Sequence, residues 1–179
     1  MDKIAIPLEA GSSGPASALS LRPWQPSDAP ALIPLAQDAA LRHWTSLDIH
    51  DESDAVRWIA EQERGWTTGT RLAFAVVTPQ GQPLGHAVLK HPDAVAAEIG
   101  YWTAAAARGR GVASNALRTL TSWAFREYEA LERLELIHQT DNAASCRVAE
   151  KCGYGLEGVL PARPPAYPLE GHLHVRGRG

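Results

Sequence analysis

The chain has 179 residues, 45% of them hydrophobic and 21% charged, and a formal net charge of −3 at pH 7. Its length suits one domain with a buried core, and its ordinary composition excludes a disordered or fibrous protein. The small negative charge excludes a general attraction to nucleic acid or to acidic membranes.

Two further features of the sequence bear on location and chemistry. No apolar run approaches the roughly 20 residues needed to cross a bilayer, and the amino terminus lacks a basic segment followed by an apolar one, so we predict a cytoplasmic protein. Cys146 and Cys152 are the only cysteines in the sequence. They provide neither a disulfide framework nor a paired zinc motif, and both are interpreted as buried, small apolar residues.

The amino-terminal part of the chain divides into a tail and the start of a domain. Residues Met1–Ala18 include a glycine- and serine-rich stretch, which is typical of flexible chain, so the domain is taken as residues 19–179. Alternation in Leu19–Trp24 predicts a strand, and Ser27 stands where a helix N-cap is expected. Two prolines within that helix should keep it short or kinked.

The middle of the chain changes from a helical to a β pattern. A helix is predicted from about Ser53, where apolar residues recur at helical spacing, and Gly65 is well placed to end it. Strands follow over Arg71–Thr78, Pro83–Lys90 and Ala96–Thr103, and a turn joins the first two as a hairpin.

The carboxyl-terminal part alternates helices and strands. An apolar stripe from Val112 to Ala124 predicts a helix, and a second helix, capped by Asp141 or Asn142, should run to Lys151. Three strands are predicted here, over Leu134–Gln139, Tyr154–Val159 and Gly171–Arg176. The order of elements indicates an α/β domain in which helices cover a mixed sheet.

A loop rich in glycine and arginine, Arg108–Gly111, lies between a predicted strand and a predicted helix. Free N–H groups at the helix start favour an anion, and glycines let the main chain approach it closely. The spacing matches neither the dinucleotide-binding fingerprint nor the Gly-Lys-Ser/Thr phosphate loop. The loop is therefore interpreted as a site for another diphosphate, although taken alone it fits an exposed turn equally well.

This loop resembles the acetyl-CoA motif of the GNAT superfamily of N-acetyltransferases. In that motif Gln or Arg precedes two variable residues, Gly, one variable residue, and Gly or Ala, and Arg108, Gly111 and Ala113 stand at the fixed positions. About thirty residues later, Asp141–Tyr154 resembles the second segment of RimJ/RimL-type enzymes, which acetylate ribosomal-protein N-termini. The opening Leu21–Trp24 is similar to that branch too, and the resemblance covers nearly the whole domain.

The resemblance implies a single GNAT-like domain with acetyl-CoA as co-substrate and no metal. It implies a mixed, mostly antiparallel sheet of about six or seven strands, flanked by about four helices, in which a splayed strand pair binds acyl-CoA. The residues that it assigns to the cofactor come from a strand end, the loop, the helix start and the second segment: Trp102, Thr103, Arg108, Gly109, Arg110, Gly111, Val112, Ala113, Asn142 and Ser145.

The resemblance also suggests two catalytic residues. Glu98 matches the strand glutamate that serves as general base in histone-acetylating relatives, and Ser145 matches the hydroxyl near the cofactor sulfur. Three structural alternatives stay open: Glu98 as a structural carboxylate, Asn142 as a helix cap, and Ser145 bonded back to the preceding turn. Ala149 stands where many relatives have a thiolate-protonating tyrosine, which excludes that acid here.

Strand alternation and the end strands supply further candidates. Alternation puts Glu98, Gly100 and Trp102 on one face of their strand, and Ile99, Tyr101 and Thr103 on the other. The secondary candidates for the base are His138, Glu170, His172 and His174. The last two histidines alternate along a strand, but the sequence places no third ligand beside them, so no metal is predicted.

The acceptor is the least determined part of the prediction. The RimJ/RimL resemblance implies a protein or peptide N-terminal amine, and the alternatives are a small amine (antibiotic, polyamine or amino acid) or a non-catalytic acyl-CoA-binding module. The acceptor walls are expected near Leu41–His50 and in the irregular loop Pro161–Pro168. No nucleic acid or membrane partner is predicted, and a homodimer is left open.

Overall fold

The computed structural model of the chain describes residues 6–7, 19–164 and 167–179. Most of the predicted flexible segment, Met1–Ala18, lies outside them. Ile6 and Pro7 form a two-residue strand that pairs with residues 20 and 21, so the sheet includes these two residues of the segment.

Eight strands and five helices make up the fold of the described residues. The strands are β1 (Ile6–Pro7), β2 (Ser20–Pro23), β3 (Arg71–Val77), β4 (Pro83–Lys90), β5 (Ala96–Thr103), β6 (Arg133–Gln139), β7 (Gly155–Leu160) and β8 (Gly171–Gly177). The helices are α1 (Ala29–Ala36), α2 (Ala39–Trp44), α3 (Glu52–Thr68), α4 (Val112–Glu127) and α5 (Ala143–Lys151).

All eight strands belong to one mixed sheet, with the order β1-β2-β3-β4-β5-β6-β8-β7. Only β5 and β6 pair in parallel, and the other neighbours are antiparallel. The predicted α/β domain with a mixed, mostly antiparallel sheet is therefore confirmed. The strand and helix numbers differ slightly, since β1 and the six-residue α2 were not anticipated.

Helices cover both faces of this sheet, and each face has its own hydrophobic core. On β3, Leu72, Phe74 and Val76 join the core that α4 and α5 cover. The intervening Ala73, Ala75 and Val77 join the core formed with α1, α2 and α3. Because successive side chains of a strand point to opposite faces, a strand covered on both sides is a continuous apolar run.

Two predicted helix boundaries are wrong. Ser27 is not an N-cap, because Pro26–Asp28 form a 3-10 turn in which the Asp28 carboxylate accepts the Gln25 N–H at 2.9 Å. Gly65 does not end α3, which continues to Thr68 and stops at Gly69 with φ 71°. A Cβ on Gly65 would lie 2.6 Å from the carbonyl oxygen of Arg71, so this glycine allows β3 to approach the helix.

The strands β5 and β6 diverge toward their carboxyl ends. Their parallel register ends at Ile99 opposite Leu136, while β5 continues to Thr103 and β6 to Gln139. The predicted splay of the strand pair is thus present, and the gap between the two strand ends lies beside the start of α4. None of the described helices is long and apolar enough to cross a membrane.

Candidate active site

The gap between β5 and β6 opens into a cavity of about 500 Å³. Its walls are the ends of the two strands, the loop before α4, the first turns of α4 and α5, and one side of α2. Nine of the ten residues predicted to contact the cofactor line it: Trp102, Thr103, Arg108, Gly109, Gly111, Val112, Ala113, Asn142 and Ser145. The tenth, Arg110, is exposed in the same loop.

The backbone of the loop before α4 suits an anion. Gly109 and Gly111 have φ values of 71° and 78°, a left-handed conformation that strains any other residue. A Cβ on either glycine would meet nothing within 4 Å, so the main chain is exposed on that side. Gly111 is also the N-cap of α4 and offers no side-chain cap, so the first N–H groups of the helix are left for a negatively charged ligand. The site therefore fits the diphosphate of CoA.

The helix α2 is fixed between the two cofactor segments. Its N-cap, Asp38, forms an ion pair with Arg108 at 2.6 Å, and this hydrogen bond lowers the pKa of the Asp38 carboxyl. At the other end of α2, His43 Nε2 lies 2.9 Å and Trp44 Nε1 3.1 Å from the carboxylate of Asp141. The Arg108 side chain thus holds α2 against the loop, and its contribution is structural as well as electrostatic.

Three residues are linked by hydrogen bonds on the α5 side of the gap. The Oδ1 atom of Asn142 accepts the N–H of Ser145 at 3.1 Å, so Asn142 caps α5 and also lines the cavity. The Oγ atom of Ser145 lies 2.8 Å from the hydroxyl of Tyr101, and not on a carbonyl of the preceding turn. Burial raises the pKa of Tyr101 to about 12, so its phenol keeps its proton at neutral pH.

A second cavity, of about 650 Å³, lies on the other side of the gap. The two cavities share a short boundary formed by Trp44, Thr45, Gly100, Tyr101, Trp102, Ile137 and His138. The far walls come from Ser46 and Leu47 after α2 and from the loop around Arg163 and Tyr167. Each predicted acceptor segment contributes part of its length to this cavity: Trp44–Leu47 from the first, and Pro161, Arg163 and Tyr167 from the second. Pro165 and Ala166 of the second segment lie outside the described residues.

Glu98 faces this second cavity from the middle of β5. It stands directly opposite Lys90 in the β4–β5 register and forms an ion pair with it through Oε1. Its side chain is 39% exposed, and Oε2 has no hydrogen-bond partner among the residues that the structure covers. Glu98 is thus both a partner in a salt bridge and accessible from the second cavity.

The GNAT acetyltransferase domain model matches residues 18–155, more than three quarters of the chain. The chain belongs to the GNAT acetyltransferase family. It is therefore an acetyl-CoA-dependent acetyltransferase, with acetyl-CoA as co-substrate. No curated protein sequence matches it significantly.

Solved GNAT structures share the whole fold at low sequence identity. RimL, a ribosomal L7/L12 alpha-N-protein acetyltransferase, superposes with a TM-score of 0.84 at 21% identity, over 98% of this chain and 95% of RimL. RimJ of Mycobacterium smegmatis, in complex with CoA-disulfide, gives 0.78 at 23%, covering 98% and 86%. The microcin C7 self-immunity acetyltransferase MccE, with acetyl-CoA and AMP, gives 0.78 at 19%, covering 96% and 99%.

The secondary candidates for the general base of this GNAT domain lie in two different places. His138, His172 and His174 lie together on β6 and β8, and His138 lines both cavities. Burial is the main cause that lowers the pKa of His138. The Glu170 side chain is exposed and lines neither cavity.

The two cysteines differ in burial and in their contacts. The prediction that both are buried, small apolar residues is therefore wrong for Cys146. Cys152 is buried in the core below α5. Cys146 is only half-buried, and its Sγ lies 3.5 Å from His138 Nε2 and 3.2 Å from His172 Nδ1. Sequence patterns do not predict this contact, because the three residues lie on three different elements.

Sequence reasoning also missed Tyr101 as a site residue. Alternation correctly placed it on the face opposite Glu98, but its partner Ser145 lies 44 residues away. The available signal was the position of Tyr101 in the strand predicted to bind the cofactor, beside Trp102 and Thr103. The family resemblance instead points to a tyrosine at the position of Ala149, which is buried in the core.

Proposed function

We propose that this GNAT enzyme acetylates the N-terminal α-amine of a protein or peptide. The observation that supports this acceptor is the exposed apolar lining of the second cavity. Trp44, Ile137, Tyr167 and Leu169 all line it, with exposed fractions of 36%, 41%, 63% and 40%. Such side chains at the mouth of a cavity are typical of a groove that receives an extended partner, and a small amine would leave them in water.

The similarity to RimL and RimJ supports the same acceptor class. RimL is a ribosomal L7/L12 alpha-N-protein acetyltransferase, and its fold extends over the whole of this chain. A protein terminus enters as a flexible chain, with its amine first, and the boundary that the two cavities share would bring that amine to the thioester. The rest of the peptide would then lie along the apolar mouth.

Attack on the thioester requires a neutral amine, so a base must take the proton of the incoming ammonium. We assign this role to Glu98, whose carboxylate lines the acceptor cavity and has one oxygen free of Lys90. A water molecule between the amine and Glu98 would carry the proton. Acetyl-CoA supplies the thioester carbonyl, and the 108–113 loop and the end of β5 would hold it.

The departing thiolate of CoA requires a proton on the opposite side of the gap. Ser145 and Tyr101 supply a pair of hydrogen-bonded hydroxyls there. In the proposed arrangement the Ser145 hydroxyl donates to the sulfur, and the Tyr101 phenol, protonated at neutral pH, donates to Ser145 Oγ. Base and acid thus lie on opposite faces of β5, as the strand alternation requires.

A small acidic or zwitterionic amine is the second candidate acceptor. Arg71 and Lys90 line the same cavity as Glu98, so a carboxylate or phosphate on a small acceptor would find two cationic side chains. MccE, which shares the fold, was solved with acetyl-CoA and AMP. The exposed apolar side chains that line the second cavity favour a peptide acceptor over this second candidate.

An acceptor panel separates the two candidates. Peptides with a free α-amine, the same peptides with a blocked α-amine and an internal lysine, free amino acids and polyamines would be compared by thiol release and mass spectrometry. We expect kcat/KM for the best peptide to exceed that of every small amine by at least about tenfold, with the acetyl group on the α-amine. A small amine that equals the best peptide would refute the proposal.

Substitution of an exposed apolar residue that lines the second cavity provides a second test of the peptide proposal. Tyr167→Ala should raise KM for the best peptide several-fold and leave the kinetics of any small amine that reacts unchanged. Val56→Ala is the matched control, because Val56 is similarly exposed at 49% but lies on α3, outside both cavities. Equal effects of the two substitutions on peptide KM would count against the groove.

A further inference from the structure

Four side chains with metal-binding atoms meet on the sheet face that α5 covers. His138 lies on β6, His172 and His174 lie on β8, and Cys146 lies on α5. One possible ligand atom from each lies within 4.8 Å of the other three. The β6–β8 register brings them together, because it pairs His138 with His172, and His174 follows two residues later on the same face.

The hydrogen bonds of two of these histidines leave a lone pair directed into the group. Nδ1 of His138 donates to the carbonyl oxygen of Gln139 at 2.8 Å, so Nε2 carries the lone pair. Nδ1 of His174 is 3.4 Å from the carbonyl oxygen of Tyr154. Its Nε2 is buried, with no hydrogen-bond partner in the described part of the chain. Metal-bound histidines are oriented in this way, by a backbone carbonyl on the other ring nitrogen.

The distances are close to those of a zinc site. With Zn–S and Zn–N bonds of about 2.3 and 2.0 Å, tetrahedral ligands are separated by about 3.5 Å for sulfur and nitrogen and about 3.3 Å for two nitrogens. The Sγ atom of Cys146 lies 3.5 Å from His138 Nε2 and 3.2 Å from His172 Nδ1. The largest separation in the group, at most 4.8 Å, closes with ring movements of about 1 Å.

We propose that His138, Cys146, His172 and His174 bind one Zn²⁺ ion. Three imidazoles and one thiolate match the ligand preference of zinc, and four protein ligands make a closed, structural site. Binding releases the thiol proton of Cys146 to solvent and gives His174 Nε2 a partner. The ion joins α5 to β6 and β8, one residue from Ser145.

The proposed ion is separate from the acetyl transfer, which needs no metal. Its consequence for the reaction is indirect. With Zn²⁺ bound, the lone pair of His138 is engaged, so His138 no longer competes with Glu98 for the role of base.

Cobalt titration of the tag-free, chelator-stripped protein is the direct test. Co²⁺ is a spectroscopic substitute for Zn²⁺, because a cobalt–thiolate bond gives a near-ultraviolet charge-transfer band and tetrahedral Co²⁺ absorbs strongly in the visible. We expect both bands to saturate at one equivalent and to disappear when Zn²⁺ is added. A wild-type protein that shows no cobalt–thiolate band at saturating Co²⁺ would overturn the proposal.

Substitutions then identify the ligands. Cys146→Ala should abolish the charge-transfer band, and His172→Ala should weaken Zn²⁺ binding by at least about tenfold. Two controls should keep the wild-type titration: Cys152→Ala, which removes the other thiol, and His50→Ala, which removes a histidine with a 58% exposed side chain. A cobalt–thiolate band that survives in Cys146→Ala would also overturn the proposal.

A measurement on the unsubstituted protein covers the case in which these variants fail to fold. X-ray absorption at the zinc edge of the zinc-loaded wild type should show one sulfur and three nitrogen neighbours. A shell without sulfur would refute the site.

Discussion

Glu98 and Tyr101 lie three residues apart on β5, and their side chains reach opposite sides of the gap. Glu98 faces the second cavity, while the Tyr101 hydroxyl reaches Ser145 on α5. This separation lets the proton leaving the amine and the proton entering the sulfur be tested independently, each with a control residue of the same type.

The first substitution is Glu98→Gln, which keeps the shape of the side chain and removes the base. Turnover should fall by roughly 100-fold, in line with general-base contributions, and the CoA dissociation constant should hardly change. Glu135→Gln is the control, because Glu135 is the β6 neighbour of Glu98 and has its own ion pair, with Arg133, but lines neither cavity. A folded Glu98→Gln enzyme that keeps most of the wild-type rate would refute the assignment of Glu98 as the base.

The second substitution is Tyr101→Phe, which removes one hydroxyl from the pair with Ser145. Since a lost hydrogen bond costs about 1 to 1.5 kcal/mol, kcat should fall about tenfold if the phenol supports proton donation to the thiolate. Tyr154→Phe removes a similar bond, because the Tyr154 hydroxyl lies 2.6 Å from Thr121 Oγ1 in the buried core. That control should lower the free energy of unfolding and leave kcat unchanged. Equal effects of both substitutions on kcat would make the Tyr101 contact merely structural.

The loop before α4 combines a strand end, two left-handed glycines and a helix N-terminus. Gly111→Asp should weaken CoA binding strongly, at least about 100-fold, because the carboxylate would stand where the diphosphate is expected and the residue strains the backbone. Arg110→Ala removes only an exposed charge and should have a much smaller effect. Calorimetric titration of CoA into the folded variants measures both.

A left-handed glycine elsewhere in the chain provides a control for the effect of backbone strain alone. Gly81 lies in the β3–β4 turn with φ 84°, and a Cβ there also meets nothing within 4 Å. Gly81→Asp therefore adds the same charge and comparable strain far from the cofactor cavity, and CoA affinity should be retained. If Gly81→Asp and Gly111→Asp reduce affinity alike, the loss comes from general destabilisation and not from the anion site.

The elements show which parts of the fold the sequence could predict. Strands and long helices were predicted well, because their apolar periods extend over several turns or alternations. The helix α2 was not predicted, since six residues with one buried side chain, Leu41, provide no period. Gly65 was misread because a helix glycine serves equally well as a stop and as a point of close approach, and only the position of Arg71 distinguishes the two.

The parts of the site that lie within one continuous segment, or within a motif of the resembled family, could be predicted from the sequence. The cofactor loop and the second segment were found because glycine spacing and cap residues are local. The Tyr101–Ser145 pair and the group around Cys146 were missed, since each joins separate elements through the sheet register. Alternation along a strand shows that His172 and His174 share one face. It does not show which residues the neighbouring strand places beside them.

The sheet separates two hydrophobic cores, and the one beside the second cavity contains a buried aromatic group. His86 of β4 stacks on Trp102 with ring centroids 5.6 Å apart, and its Nδ1 accepts the Trp24 indole N–H at 3.0 Å. Trp58 of α3 packs edge-on against the same ring at 5.5 Å. The neutral imidazole therefore joins β4, β5 and α3 to the residue that follows β2.

Acid should destabilise the whole fold, and His86 supplies one separable part of that effect. Burial, with smaller contributions from Arg71 and Lys90, lowers the pKa of His86 from 6.5 to about 3. Between these values the unfolded chain binds a proton that the native state does not, so the free energy of unfolding falls as the pH falls. From pH 7 to pH 5 this residue should cost about 2 kcal/mol, at about 1.4 kcal/mol per pH unit below 6.5.

Urea unfolding of wild type and His86→Gln at pH 7 and pH 5 isolates this contribution, because the carboxylates titrate alike in both proteins. The variant should be less stable at pH 7, where it loses ring packing, but its loss between pH 7 and pH 5 should be smaller than that of the wild type by about 2 kcal/mol. Parallel pH dependence in the wild type and His86→Gln would mean that His86 takes up its proton in the native state, and that the aromatic group admits a charge.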